Sequence, residues 1–195
     1  FRKQVEKSVA IAPNLPSSVI ARQKLKPLPD VEVGKLPELS DFDLDTPVFD
    51  DRTVLKFQGG ETSGLARLQQ YFWQQDRLRS YKETRNGMLG SDYSSKFSPW
   101  LAMGCLSPRY IYAQVQAYER ERVSNDSTYW LVFELLWRDY FCFIAAKHGD
   151  RLFRKSGLRG LKIDWQENWQ IFALWQRGET GFPLVDANMR ELAAT

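Results

Sequence analysis

The sequence predicts an all-α protein, and three observations carry that prediction. From Gly59 onward apolar residues recur at three- and four-residue spacing, and no useful run alternates apolar with polar as a half-buried strand would. Ser98-Pro99 and Ser107-Pro108 each place a hydroxyl before a proline, the chemistry of a helix start. Residues 1–55 hold six of the nine prolines (Pro13, Pro16, Pro27, Pro29, Pro37, Pro47) and none of the seven tryptophans. Proline fixes φ and removes a donor, so this stretch reads as an extended connector, after a short terminal helix over residues 1–6. Residues 56–195 read as one helical domain.

Within that domain, Glu61 to Arg79 carries Leu65, Leu68, Phe72 and Leu78 at helical intervals, with acidic Glu61 in the first turn complementing the helix dipole. Asn86-Gly87 and Gly90-Ser91-Asp92 mark a loop. Ser98 is expected to cap a helix, and Ser107 an amphipathic one through Tyr110, Ile111, Val115 and Tyr118. Asp126 or Ser127 is expected to cap a long, very apolar helix reaching about Lys147. His148 lies near its end, where it suits the dipole better than acid–base work. A basic loop follows, with Arg151, Arg154, Lys155, Arg159 and Lys162 around Gly157 and Gly160. A helix over 166–177 is closed by Gly178. The last starts near Phe182-Pro183 and still runs at Thr195, which points to a truncated domain.

Composition narrows the function classes. Hydrophobic residues make up 43% and charged residues 26%, as in a globular protein with an ordinary core. A net charge of +3 is too small to announce a nucleic-acid binder. No apolar run is long enough to span a bilayer as a helix, and Phe1-Arg2-Lys3-Gln4 lacks the apolar stretch of a signal peptide. Cys105 and Cys142 give no disulfide framework and no metal-ligand spacing; they read as buried small hydrophobes in an intracellular setting. With one histidine and no glycine-rich nucleotide loop, acid–base hydrolysis is poorly supported. The 14% aromatic content implies either a large helical core or a place where planar groups stack.

Three constellations could carry chemistry. Trp130, Glu134, Trp137, Arg138 and Phe141 fall on one helix face. They fit an i,i+4 Glu134–Arg138 ion pair at a core edge, or a pocket wall with aromatics for stacking and two charges for polar contacts. Ser94-Ser95-Lys96-Phe97-Ser98-Pro99 brings hydroxyls, a cation and the free amides of a helix start together, which suits a phosphate, although serine-rich caps are common. Arg77, Arg79, Lys82 and Arg85 cluster around Tyr81, as a solvated face or a phosphate-facing one.

Taken together, these segments resemble the DNA photolyase/cryptochrome family. Tyr93 to Ala102 followed by Gly104-Cys105-Leu106-Ser107-Pro108-Arg109 resembles the family's hydroxyl-rich loop and its G-x-L-S-P-R segment. Glu134-Leu135-Leu136-Trp137-Arg138-Asp139-Tyr140-Phe141 resembles its E-L-x-W-R-[DE]-[FY] helix. Gly181-Phe182-Pro183-Leu184-Val185-Asp186-Ala187-Asn188-Met189-Arg190 resembles its T-G-[FY]-P-x-V-D-A-x-M-R segment. Order and spacing agree, and the wording is nearest to the DASH-type cryptochromes over residues 56–195.

The resemblance implies the N-terminal half of a helical FAD-binding domain, with residues 1–55 linking it to an N-terminal α/β antenna domain outside this sequence. That domain would carry an antenna folate such as methenyltetrahydrofolate. Tyr81, Ser94, Ser95, Lys96, Phe97 and Ser98 match positions that hold the FAD diphosphate and its surroundings, and Arg138 matches a flavin-side arginine. Glu134 and Trp137 match residues that receive a flipped pyrimidine dimer, the carboxyl bonding the base edge and the indole stacking. Arg85 matches a cation near DNA phosphate, and Trp165 the outermost tryptophan of an electron-transfer chain. The implied activity is of deoxyribodipyrimidine photo-lyase type: light-driven repair of cyclobutane pyrimidine dimers in single-stranded DNA by a protein monomeric at full length. On its own, the 1–195 stretch is expected to be inactive. Two rivals stand beside this: an FAD-binding photoreceptor without repair, and a cofactor-free helical module that binds nucleic acid or protein.

Overall fold

Residues 2–8, 26–27, 29–32, 34–48, 50–51 and 53–194 are described by a computed structural model; among them the regular structure is helical, with no strand. The expected terminal helix is α1 (Arg2–Ser8). Phe1, Pro13, Pro16 and Thr195 lie outside the described residues. Among the described residues, the rest of the connector carries a short 3-10 turn at Leu39–Phe42 and no longer helix, in keeping with its prolines.

α2 (Glu61–Gln69) buries Gly64, Arg67 and Leu68 on one stripe. The helix predicted to reach Arg79 ends earlier. It widens into a π turn at Gln70–Gln74, closed by the Gln75 amide donating to the Gln70 carbonyl at 2.9 Å, and Asp76 then turns left-handed at φ 57°. The cause is tertiary. Asp76 Oδ1 accepts from Tyr118 Oη at 2.5 Å and from Arg122 at 2.7 Å, and Arg122 also donates to the Trp73 carbonyl at 2.6 Å. A 3-10 turn (Arg77–Ser80) and α3 (Tyr81–Thr84) follow.

α4 (Ser98–Ala102) corrects one cap. Lys96 is left-handed at φ 58°, and Phe97 is already right-handed helical, so Phe97 takes the cap position and Ser98 lies inside the helix. α5 (Pro108–Glu121) starts as expected, the Ser107 hydroxyl accepting from the Tyr110 amide, and it buries Ile111, Val115 and Tyr118. α6 (Asp126–His148) is capped not by Asp126 or Ser127 but by Asn125, whose Oδ1 accepts from the Ser127 and Thr128 amides. A capping side chain must stand before the first helical amides to reach them, and Asn125 alone does so here.

The core lies where α2, the π turn and α3 meet α5 and the first half of α6. Phe72 packs its ring 5.9 Å from Phe97 and 6.1 Å from Tyr118. Burying each such ring stabilises the fold by about 1.5–3 kcal/mol. Gly64 permits the close approach of α2 to the following segment: a Cβ there would stand 2.9 Å from Leu106 Cγ and 3.1 Å from the Trp100 ring. After α6 come a 3-10 turn (Gly149–Phe153), α7 (Trp169–Arg177) and α8 (Pro183–Ala194), the last two packed on each other. Cys142 is exposed rather than buried, and Cys105 is half-buried. Cys142 lies between the exposed Phe141 and Phe143 on the second half of α6.

Candidate functional site

A cavity of about 370 Å³ opens between α3, α4 and the middle of α6. Tyr81, Ser95, Phe97 and Ser98 line one side and Glu134 and Arg138 the other, with Leu101, Leu131 and Leu135 supplying apolar surface. Six of the residues singled out from the sequence therefore share one space. The 3.6-residue period explains the α6 side, since Leu131, Glu134, Leu135 and Arg138 recur at three- and four-residue steps.

The opposite side is a loop held by a residue that the sequence reading missed. Arg67, 4% exposed, donates to the carbonyls of Ser91 (3.0 Å), Ser94 (3.2 Å) and Ser95 (3.1 Å). It also reaches Gln70 Oε1 at 3.1 Å and pairs with Asp92 at 2.8 Å. Partial burial pushes the Asp92 carboxyl up, but the Arg67 hydrogen bond and charge, with Ser91 and Gln75, outweigh it and hold the group below the usual range. One signal was available: Arg67 sits beside Leu68 on the stripe that buries α2, where a guanidinium needs a full set of acceptors.

Glu134 is not paired with Arg138. Its Oε1 accepts from Arg85 at 2.6 Å, and the two side chains are 32% and 28% exposed. Among the described residues, the acidic partner of Arg138 is its neighbour Asp139, at 3.5 Å. At i,i+4 the Arg138 guanidinium turns to the cavity and the flank of α6, whereas Arg85 reaches over from the C-terminal cap of α3. Arg85 and Lys82 also lie over the Trp130 ring, at 5.4 and 5.1 Å from its centre. Tyr81 is buried at the cavity wall. Burial, with the nearby Glu134 charge, pushes its phenol up to about 12 against the opposing pull of Arg85, so it stays neutral and can donate.

The remaining predicted residues lie apart from the cavity lining. Ser94 gives its carbonyl to Arg67. Lys96 folds its ammonium onto Tyr93, over the ring and against the hydroxyl. Trp137 is 41% exposed and stacks on Phe141 with ring centres 5.6 Å apart. Trp165 is 59% exposed, its indole donating to the Lys155 carbonyl at 3.0 Å. Asp186, from the third family-like segment, holds the chain locally: Thr180 (2.8 and 2.6 Å) and the Gly181 amide (3.0 Å) donate to its carboxylate and fix the start of α8.

The donors facing the cavity fit the phosphate-bearing part of FAD. Two serine hydroxyls and the Arg138 guanidinium line it, and among the described residues the amides of Lys96 and Phe97 find no acceptor. A left-handed residue followed by a right-handed one gathers consecutive amides into an anion-binding hollow. Among the described residues no group of His, Cys, Asp and Glu could hold a metal, and no helix is long and apolar enough to cross a membrane.

Residues 130–195 match the family described as the FAD binding domain of DNA photolyase. The chain is 69% identical, along its whole length, to the Cryptochrome DASH of Gloeobacter violaceus and covers 38% of it. It is 52% identical to the Cryptochrome DASH of Xenopus laevis, again over 100% of the chain and 37% of the relative. The crystal structure of a Synechocystis sp. cryptochrome superposes with a TM-score of 0.90 at 57% identity, covering 100% of this chain and 40% of that one. A class III photolyase of Agrobacterium tumefaciens gives a TM-score of 0.69 at 27% identity over 84% of this chain and 33% of that one. The chain thus spans well under half the length of these proteins.

Proposed function

We propose that this chain, which belongs to the DNA photolyase/cryptochrome family, forms one side of the FAD site of a blue-light-dependent enzyme that repairs cyclobutane pyrimidine dimers in single-stranded DNA. The observation that carries the reading is the shared cavity, which joins a phosphate-suited loop (Ser95, Phe97, Ser98) to the charged face of α6 (Glu134, Arg138). The domain division goes with it: residues 1–55 link an N-terminal antenna domain, with its folate, to the helical domain begun at 56.

FAD, when bound, supplies the light absorption and the one-electron chemistry. The chain's own residues hold, orient and exclude. Ser95, Ser98 and the amides of Lys96 and Phe97 hold phosphate oxygens, Ser94 keeps the loop turned, and Lys96 adds positive charge beside it. Tyr81 contributes a neutral donor, and Arg138 places a fixed cation on the flavin side. Glu134 offers its carboxyl to the edge of a flipped base, Trp137 a ring for the base to stack on, and Arg85 a cation for the strand's phosphate. A base leaves the stack most readily in a single strand, which favours that substrate. Trp165, at the surface, suits the outer end of an electron-transfer chain.

A second reading is favoured by the Arg85–Glu134 contact: the carboxylate serves the ion pair, and the protein senses light without repair. Glu134→Gln in the full-length protein separates the two. Under the repair reading it keeps its flavin and binds damaged strands nearly normally, yet splits fewer dimers per photon, because a preorganised group acts on the reacting state. Lost flavin or lost stability, with the yield of the remaining holoprotein unchanged, establishes the ion pair and defeats the catalytic role.

A further inference from the structure

Arg67 is the most completely engaged side chain near the cavity, and it does not touch the cavity itself. Its guanidinium meets five acceptors: the carbonyls of Ser91, Ser94 and Ser95, the Asp92 carboxylate and the Gln70 amide oxygen. Four of the five belong to one loop, 24 to 28 residues along the chain. Asp92 is braced in turn by Gln75 at 3.2 Å.

This arrangement has a directional consequence. In a trans peptide the carbonyl and the following amide point in opposite directions. With the Ser94 and Ser95 carbonyls turned to Arg67, the Ser95 and Lys96 amides face away from it. Lys96 then holds a left-handed backbone that a non-glycine residue adopts only at a cost of roughly 1–2 kcal/mol. Left free, the loop would relax out of that conformation and scatter its amides. Lys96 does not secure itself, since its ammonium is folded back on Tyr93.

We propose that Arg67 is a positioning residue for cofactor binding: by gathering the loop's carbonyls on the far side, it turns the Lys96 amide away from itself and secures the left-handed Lys96 backbone, so that the amides of Lys96 and Phe97 form one preformed hollow for the diphosphate. This rests on the FAD reading above, and the experiment keeps the two failures apart. The guanidinium fork is what the geometry uses. A lysine keeps the charge but offers a point donor that cannot span three carbonyls and a carboxylate.

The test is flavin binding by the full-length protein stripped of cofactor, using FAD, FMN and riboflavin, which carry two, one and no phosphates. Arg67→Lys weakens FAD by about tenfold, the order expected for one or two misplaced hydrogen bonds to phosphate. FMN is weakened less and riboflavin not at all. Asp92→Asn, which leaves the carbonyl contacts in place, shows the same order with a smaller loss; it also serves if Arg67→Lys does not fold. Equal losses for all three flavins in both variants overturn the positioning role and leave Arg67 a general support of the fold. A wild-type protein with no preference for FAD over riboflavin removes the diphosphate reading itself, and the proposal with it.

Discussion

The stretch from α2 to the middle of α6 and the stretch beyond it are both helical and both rich in aromatics, yet they are held together differently. Among the described residues, the buried core hydrophobics all lie between Leu68 and Leu131. From Trp137 onward the large apolar side chains turn outward: Phe141, Phe143, Phe153, Trp169 and Phe182 are each exposed. Order in this second region comes from local polar locks. Asn168 caps α7, Gly178 closes it in a left-handed conformation at φ 66°, and Arg190 donates twice to the Gly178 carbonyl. Caps of this kind fix where helices begin and end but bury little. Tertiary stability therefore resides in the first region, while the second presents a surface suited to being covered.

The largest expected effect tests that asymmetry. Phe72→Ala should cost about 3–5 kcal/mol in denaturant unfolding, since its ring is fully buried among Phe97 and Tyr118. Phe172→Ala in α7 should change the stability of residues 1–195 by no more than about 0.5 kcal/mol. Similar costs at the two sites would break the comparison. Light scattering gives a second measure, because the exposed face should make residues 1–195 self-associate when isolated.

Next in size is recognition at the boundary between the regions. Trp137→Ala in the full-length protein should weaken binding of dimer-containing single strands by about 1–3 kcal/mol, the usual worth of a base on an aromatic ring. Arg85→Ala should weaken damaged and undamaged strands alike and flatten the salt dependence. Titrations at two salt concentrations separate the effects; unchanged discrimination in Trp137→Ala rules out stacking on that ring.

The smallest effect concerns acid. Asp92 has its carboxyl held below its unfolded value of about 3.9. Its contribution, on the order of 1 kcal/mol, is complete above that value and disappears as pH falls through the lower folded-state pKa. Stability measured from pH 5 downward should decline less steeply in Asp92→Asn than in wild type. Parallel acid limbs would show that the loop does not draw on this pair.

What the sequence made legible was local. α5 follows from Ser107-Pro108 and the spacing of Ile111, Val115 and Tyr118, and α7 ends at Gly178, because caps and periodicity act within a turn or two. The early end of α2 was not legible. It is imposed by Tyr118 and Arg122, more than forty residues away, and periodicity carries no information about such partners. Glu134 and Arg138 look paired by their i,i+4 spacing, yet Glu134 finds Arg85, at the C-terminal cap of α3. The cavity was legible in part: spacing divided its residues among three constellations, the family resemblance joined Tyr81, Ser95, Phe97, Ser98 and Arg138 around FAD, and the fold brings these and Glu134 to one space. The roles assigned to Trp137 and Trp165 came from the family's motifs, not from anything that spacing alone contained.

The π turn at Gln70–Gln74 carries a consequence for insertions and deletions. Such a turn holds one residue more than an α-helical turn would, and one residue is about 100° of rotation. Because the extra residue is taken up within the turn itself, removing one residue here would let the helix close to ordinary winding with the chain on either side kept nearly in phase. The same removal from α2 would instead turn everything after it through that angle and carry Asp76 away from Tyr118 and Arg122. The span is therefore where this segment can absorb a change in length, while its buried rings, Tyr71 and Phe72, tolerate little change in kind.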